Sequence, residues 1–166
     1  MNSLQIVFRK KILFFSLFVL LTSFAFAQNK DRIEIGTIDS ISSKVLNENR
    51  KIWIHLPKSA RNTGLAKQKY PVVYLLDAEG HFSSVVGIIE EMSEVNGNTN
   101  CPEMIIVGIT NTNRNRDLTP THSDVDPPFV PQSLSDQSGG GEKFVEFLEK
   151  ELIPYIDSKY PTAPFK

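Results

Sequence analysis

Apolar and polar positions along this chain fall into blocks, and each block predicts an element. Residues 33–46, IEIGTIDSISSKVL, alternate, with Ile33, Ile35, Ile38 and Ile41 on the apolar side after one slip. A period of two predicts an edge strand. Asn47, Glu48 and Asn49 supply a turn, and in residues 50–56, RKIWIHL, Ile52, Ile54 and Leu56 share one face while Trp53 and His55 share the other. Together they predict a half-buried antiparallel hairpin at the start of a sheet, ended by Pro57. Residues 58–69 are a polar connection with no apolar period.

The pattern then changes. Residues 70–82, YPVVYLLDAEGHF, hold a near-continuous apolar run that ends at Asp77 and a small-residue loop. Such a run predicts a strand buried on both faces, the mark of a parallel sheet. A helix is expected from about His81 to Val95, with Phe82, Val85, Val86, Ile89 and Met92 at helical spacing and Glu90, Glu91 and Glu94 largely off that stripe. Asn96, Gly97 and Asn98 stop it. Residues 104–109, MIIVGI, predict a second buried strand, which completes a βαβ crossover. About thirty residues, 110–141, lack periodicity and close on Gly139, Gly140 and Gly141. A final helix is expected over about 142–160, with Phe144, Phe147, Leu148, Leu152, Tyr155 and Ile156 as its stripe. Pro154 inside it predicts a kink or a short last segment. The fold class is α/β.

The first 27 residues stand apart. Arg9, Lys10 and Lys11 precede the apolar run that starts at Ile12, and Ala25-Phe26-Ala27 is an A-x-A site, so a secretory signal peptide cut before Gln28 is expected. The competing reading is a membrane anchor, against which stand the small residues at 25 and 27 and the polar QNKDR just after them. Export to the periplasm or medium is then expected, with no membrane attachment after cleavage and residues 28–166 as one partial domain. Removing 1–27 takes away three basic residues and no acid, which leaves 15 basic against 19 acidic residues and a net charge of −4. That excludes a basic surface for nucleic acid. The single cysteine, Cys101, forbids an internal disulfide and is expected to be buried before its strand.

Candidate chemistry is sparse. Of three histidines, His55 reads as a strand residue on the outer face and His122 lies in the long loop. His81 alone comes after a strand end, where α/β folds place ligands. Asp77 ends the apolar run, where a carboxylate orients a loop or serves as a base. No histidine pair has metal-ligand spacing. The triple glycine lacks the Lys-Ser/Thr of a phosphate loop. No G-x-S-x-G occurs, and Ser83 and Ser84 are helix N-terminal residues without the setting of a nucleophile elbow. Arg114 and Arg116 sit just past MIIVGI, where guanidinium groups suit an anionic or catechol-type oxygen ligand. Pairing with Asp117 or Asp124 is the alternative.

YPVVYLLDAEGHF, MIIVGITNTNRNRDLTPT and GGG-x-x-F-x-x-FL-x-x-ELIPYID-x-x-Y, in that order and spacing, resemble the putative esterase family of the α/β-hydrolase superfamily. That group contains esterase D, enterochelin esterases and feruloyl esterases, and the likeness is strongest to the exported, siderophore-esterase-like branch. The resemblance implies the N-terminal half of an α/β-hydrolase sheet: an antiparallel hairpin, then parallel strands with crossover helices, stopping short of the nucleophile elbow. It implies a carboxylic-ester hydrolase acting by serine acyl transfer on a small-molecule ester, with no metal or cofactor. Ala78 matches the backbone oxyanion donor, where the family usually has glycine. Arg114, and less closely Arg116, match the substrate-side loop, with Asp77 and His81 at its edge. Nucleophile, acid and base match nothing in these 166 residues, so a fragment inactive alone is expected. The alternative is a ligand-binding or edge-strand interaction module. The elbow strand would lie beside residues 72–76, so that edge is expected to be open, with self-association through it.

Overall fold

The structure is a computed structural model that describes residues 9, 11–12, 33–61, 68–97, 99–123 and 137–164. It divides into two units, Met1–Glu34 and Ile35–Lys166. In the first, Arg9, Lys11 and Ile12 are helical, and the rest of the expected signal peptide lies outside the described residues. Among the described residues, no helix is long and apolar enough to cross a membrane. Every described strand belongs to the second unit.

Strands β1 (Thr37–Ser43) and β2 (Glu48–His55) form the expected antiparallel hairpin, with Thr37 opposite Ile54 and Ser43 opposite Glu48. The turn is Lys44–Asn47 rather than 47–49. Asn47 takes the left-handed φ of 54° there, which asparagine tolerates. Glu151 fixes this turn from a distant helix by accepting bonds from Ser43 Oγ, Lys44 N–H and Val45 N–H at 2.5, 2.8 and 3.2 Å. A short helix, α1 (Lys58–Arg61), comes next. Strand β3 (Val72–Leu75) leads into helix α2 (Ala78–Ser93), and β4 (Ile105–Ile109) returns parallel to β3.

The sheet order is β1-β2-β4-β3, with β2 and β4 antiparallel. Every residue of β4 is buried, as expected of a run with neighbours on both sides. Strand β3 is only half-buried, against the expectation of two covered faces. The reason is its place: it is the last strand in the order, with β4 on one side. Among the described residues, the other side is engaged only at its entry, where Thr162 makes a parallel bridge to Tyr70. Tyr70 N–H donates to Pro161 O at 2.9 Å and Ala163 N–H to Tyr70 O at 2.7 Å.

One face of the sheet carries Ile52, Ile54, Ile105, Val107 and Ile109, packed on Phe144, Phe147, Leu152 and Ile156. These last come from α4 (Gly141–Phe147), a π-helical turn (Leu148–Leu152) and α5 (Ile153–Lys159), since a further short helix, α3 (Arg114–Leu118), intervenes in the loop. The expected helix is thus present over residues 141–159, with a π-helical turn in its middle. Pro154 cannot donate to the preceding turn and its ring crowds the carbonyl four residues back, and the wider π turn relieves both. The other face carries Ile106, Ala78, Phe82 and Val86. Gly108 makes this close packing possible: a Cβ there would lie 2.7 Å from Phe82 and 2.8 Å from Ala78. His55 belongs to this covered face and not to an outer one. It is 1% exposed, with Nδ1 2.7 Å from Ile35 O and Nε2 3.6 Å from Glu90. Cys101 is half-buried rather than buried, because the segment before β4 runs along the end of α2.

Candidate functional site

The carboxyl ends of β3 and β4 meet at one edge of the sheet, and the residues singled out from sequence gather there. Asp77 turns the chain from β3 directly into α2. Its φ of 52° and ψ of 43° are left-handed, a conformation aspartate visits more readily than most residues. This abrupt turn is why α2 begins at Ala78, three residues before the expected start. His81 therefore stands exposed on the first helical turn and not in a loop. Ala78 is wholly buried, its side chain facing Gly108 and Phe82.

Asp77 does not cap the helix with its side chain. Its carboxylate instead takes both arms of Arg114, Nε to Oδ1 at 2.8 Å and Nη2 to Oδ2 at 3.1 Å. Asn111 Nδ2 adds a third bond at 2.8 Å, and Asn111 N–H donates to Glu79 Oε1 at 2.7 Å. The Arg114 bonds first, and then Asn111, hold the Asp77 carboxyl below the ordinary aspartate value, and Asp77 in turn raises Arg114. This pair faces solvent: the Arg114 side chain is 58% exposed and that of Asp77 29%.

Arg116 lies two residues on and is occupied differently. Its guanidinium reaches back to β2, with Nη2 2.8 Å and Nη1 3.1 Å from the Glu48 carboxylate and Nε 2.8 Å from Asp117. The two acids raise its pKa, and Arg116 with Arg50 lowers that of Glu48. The pairing with Asp117 was one sequence expectation; Asp124 lies outside the described residues. Beneath, Arg50 is 1% exposed and spans Asp117 at 2.6 Å, Glu48 at 2.8 Å and the Thr110 carbonyl at 3.1 Å. It also stacks 5.5 Å above Phe144 and 5.9 Å above Phe147.

The α3 turn is thereby bolted to the sheet. Asn113 caps it by accepting from Arg116 N–H at 3.0 Å, and Gly140 N–H donates to Arg116 O at 2.8 Å. The triple glycine is a packing device. A Cβ on Gly140 would lie 2.5 Å from Arg116 Cγ, so only glycine lets α4 start against α3. Beside this junction an apolar cleft of about 470 Å³ opens, lined by Leu76, Leu118, Pro120, Phe144, Val145 and Leu148. Sequence reasoning missed Arg50, Glu48, Asn111 and Glu79. Arg50 read only as the polar start of a half-buried strand, and no local signal marks its burial. Among the described residues no cluster of three or more His, Cys, Asp or Glu could hold a metal ion.

Comparison with known proteins places this arrangement. The family described as Putative esterase matches residues 43–166. Ferri-bacillibactin esterase BesA of Bacillus subtilis (strain 168) is 29% identical over 122 residues, which cover 69% of this chain and 42% of that protein. The IroE-like serine hydrolase from Shewanella oneidensis superposes with a TM-score of 0.70 at 38% identity, over 76% of this chain and 39% of that one. The BES protein from Bacillus cereus shares the fold, with a TM-score of 0.61 at 24% identity over 81% of this chain and 50% of that one. The chain spans half or less of the length of each. With its sheet order, its parallel β3–α2–β4 unit and a family match over most of its residues, the chain belongs to the putative esterase family.

Proposed function

We propose that this chain supplies the amino-terminal sheet and one binding edge of an exported carboxylic-ester hydrolase acting on siderophore-type esters by serine acyl transfer. The observation that carries the reading is the meeting of the α2 N-terminus with Arg114 at the carboxyl edge of β3 and β4, where Asp77 and Arg114 are 2.8 Å apart. A main-chain N–H at the start of a helix stabilises the oxyanion of a tetrahedral intermediate, and any residue can supply it, so alanine at 78 is compatible with that role. Arg114 offers a planar fork for the oxygens of the substrate. The relative named as a ferri-bacillibactin esterase supports the substrate class. Residues 1–27 serve export in this reading.

The 166 residues contain no G-x-S-x-G, so the purified chain is expected to show no ester turnover by itself. Reading the coding DNA beyond the Lys166 codon tests the proposal. A strand ending in G-H-S-x-G-G in frame is the expected result. Its absence, or robust ester hydrolysis by the chain alone, would overturn it.

One observation favours a second reading, an interaction module completed by another chain. Val72–Leu75 is an uncharged strand whose outer side, among the described residues, is bridged only at Tyr70. Exposed edges of that kind usually carry a charge or a cover. Sedimentation velocity discriminates: concentration-dependent association supports pairing through β3, and a strictly monomeric chain rules it out.

A further inference from the structure

We propose that Asn111 is a positioning residue for the proposed reaction: it holds the Asp77 carboxylate off the start of α2 and so keeps the Ala78 N–H open to the oxyanion. The inference rests on the reading of Ala78 as an oxyanion donor and concerns what keeps that donor usable.

The Ala78 N–H lies in the peptide plane between residues 77 and 78, so the Asp77 backbone, with φ 52° and ψ 43°, sets its direction. Among the described residues it has no acceptor. Two features of Asp77 work against it. A left-handed φ is unfavourable for a residue with a Cβ and persists only where neighbours hold it. An aspartate at the start of a helix also ordinarily folds back to accept from the second or third N–H. That would set a full negative charge beside Ala78, where the oxyanion forms. Glu79 brings a second carboxylate on the other side.

Asn111 restrains both acids. Its Nδ2 donates to Asp77 Oδ1 at 2.8 Å and turns its other hydrogen toward Glu79 Oε2 at 3.5 Å, while its main-chain N–H donates to Glu79 Oε1 at 2.7 Å. One residue thus grips both neighbours of Ala78, and the Asp77 side chain makes no capping bond to α2. Two carboxylates can be met only by the nitrogen of the amide, so asparagine fits here and aspartate does not. The grip also has a rigid base. Thr110 Oγ1 donates to Lys51 O at 2.9 Å and the buried Arg50 donates to Thr110 O at 3.1 Å, so Asn111 follows directly on a residue bound to β2. Arg114 shares the Asp77 carboxylate, but from the end of a long side chain that is 58% exposed.

The test reads the Ala78 amide by nitrogen relaxation and residual dipolar couplings, in the unaltered chain and in Asn111→Ala, Asn111→Asp and Arg114→Gln. In the unaltered chain the Ala78 coupling must fit the direction set by φ 52° and ψ 43°, with an order parameter of about 0.85, as for rigid backbone. Asn111→Ala should lower that order parameter below about 0.6, while the amides of Val86 and of Ile105–Ile109 stay rigid. Asn111→Asp keeps the size and the main-chain N–H but removes the side-chain donor, and should behave as the alanine variant does. Arg114→Gln should lower the order parameter less. An Ala78 amide unmoved in Asn111→Ala, kept in place by aspartate, or loosened as much in Arg114→Gln overturns the assignment. Should the Asn111 variants fail to fold, the unaltered chain still decides, because a coupling off the expected direction overturns it too. The underlying reading fails separately. Coding DNA without the nucleophile segment removes the oxyanion whatever holds the N–H, whereas an elbow in frame with Ala78 unmoved in Asn111→Ala leaves that reading and overturns this inference alone.

Discussion

Two arginine–aspartate pairs anchor the segment around α3, with nearly equal lengths and opposite surroundings. Arg50 meets Asp117 at 2.6 Å with side chains 1% and 2% exposed, and Arg114 meets Asp77 at 2.8 Å with 58% and 29%. Contact distance does not tell them apart; solvent does. Inside the protein the attraction is several times stronger than in water, and a charge left alone there cannot recover its hydration. At the surface, water replaces whatever partner departs. The buried pair is a frame, and the exposed pair is held only as firmly as solvent allows.

The contrast shows most visibly if one buried member is removed. Asp117→Ala leaves Arg50 buried with one fewer acid, and we expect a loss of about 3–5 kcal/mol in urea unfolding. Arg50→Ala is expected to cost at least as much, because it leaves the buried Asp117 with Arg116 alone and empties the space over Phe144 and Phe147. A change below the error of the measurement for either variant would refute the frame.

A second prediction reaches the frame through packing alone. Gly140→Ala places a methyl group 2.5 Å from Arg116 Cγ and 3.0 Å from the Arg116 carbonyl. The side chain can yield but the carbonyl cannot without moving α3, so about 1–3 kcal/mol of destabilisation is expected. Loss of the Glu48–Arg116 contact in the variant's structure would locate the strain.

Acid probes the frame from another side. Arg116, then Arg50, holds the folded Glu48 carboxyl below its ordinary value of 4.5. A lowered folded value means that the contribution is fully present above pH 4.5 and is lost as the pH falls through the folded value. Stability should therefore decline on acidification below that point, and Glu48→Gln should flatten the decline. An unchanged slope in Glu48→Gln would assign the acid sensitivity elsewhere.

How much of this was legible in the sequence depends on the kind of pattern each feature leaves. The hairpin, the β3–α2–β4 crossover and the strands' inward faces come from spacing, which is local. Burial is not local. VVYL and IIVGI read alike, yet the second is central and fully buried while the first is at the edge, because only the sheet order separates them. His55 was misplaced and Arg50 passed over for the same reason, since the elements that cover them come from residues 78–93 and 141–147. Arg114, Asp77 and Ala78 were singled out by position at strand ends and by resemblance. Their mutual geometry required the left-handed turn at Asp77, which no period announces.

The weakest effect is the most discriminating. Asp77→Asn and Arg114→Gln, alone and together, should move the urea midpoint only slightly, since each charge is rehydrated once its partner is gone. A double-mutant cycle on this pair should return only a small stability coupling, whereas the same cycle on Arg50 and Asp117 should return a large one. Coupling at the exposed pair approaching that of the buried pair would mean that Arg114 is held as firmly as Arg50. An arginine held that firmly would belong to the frame despite its exposure.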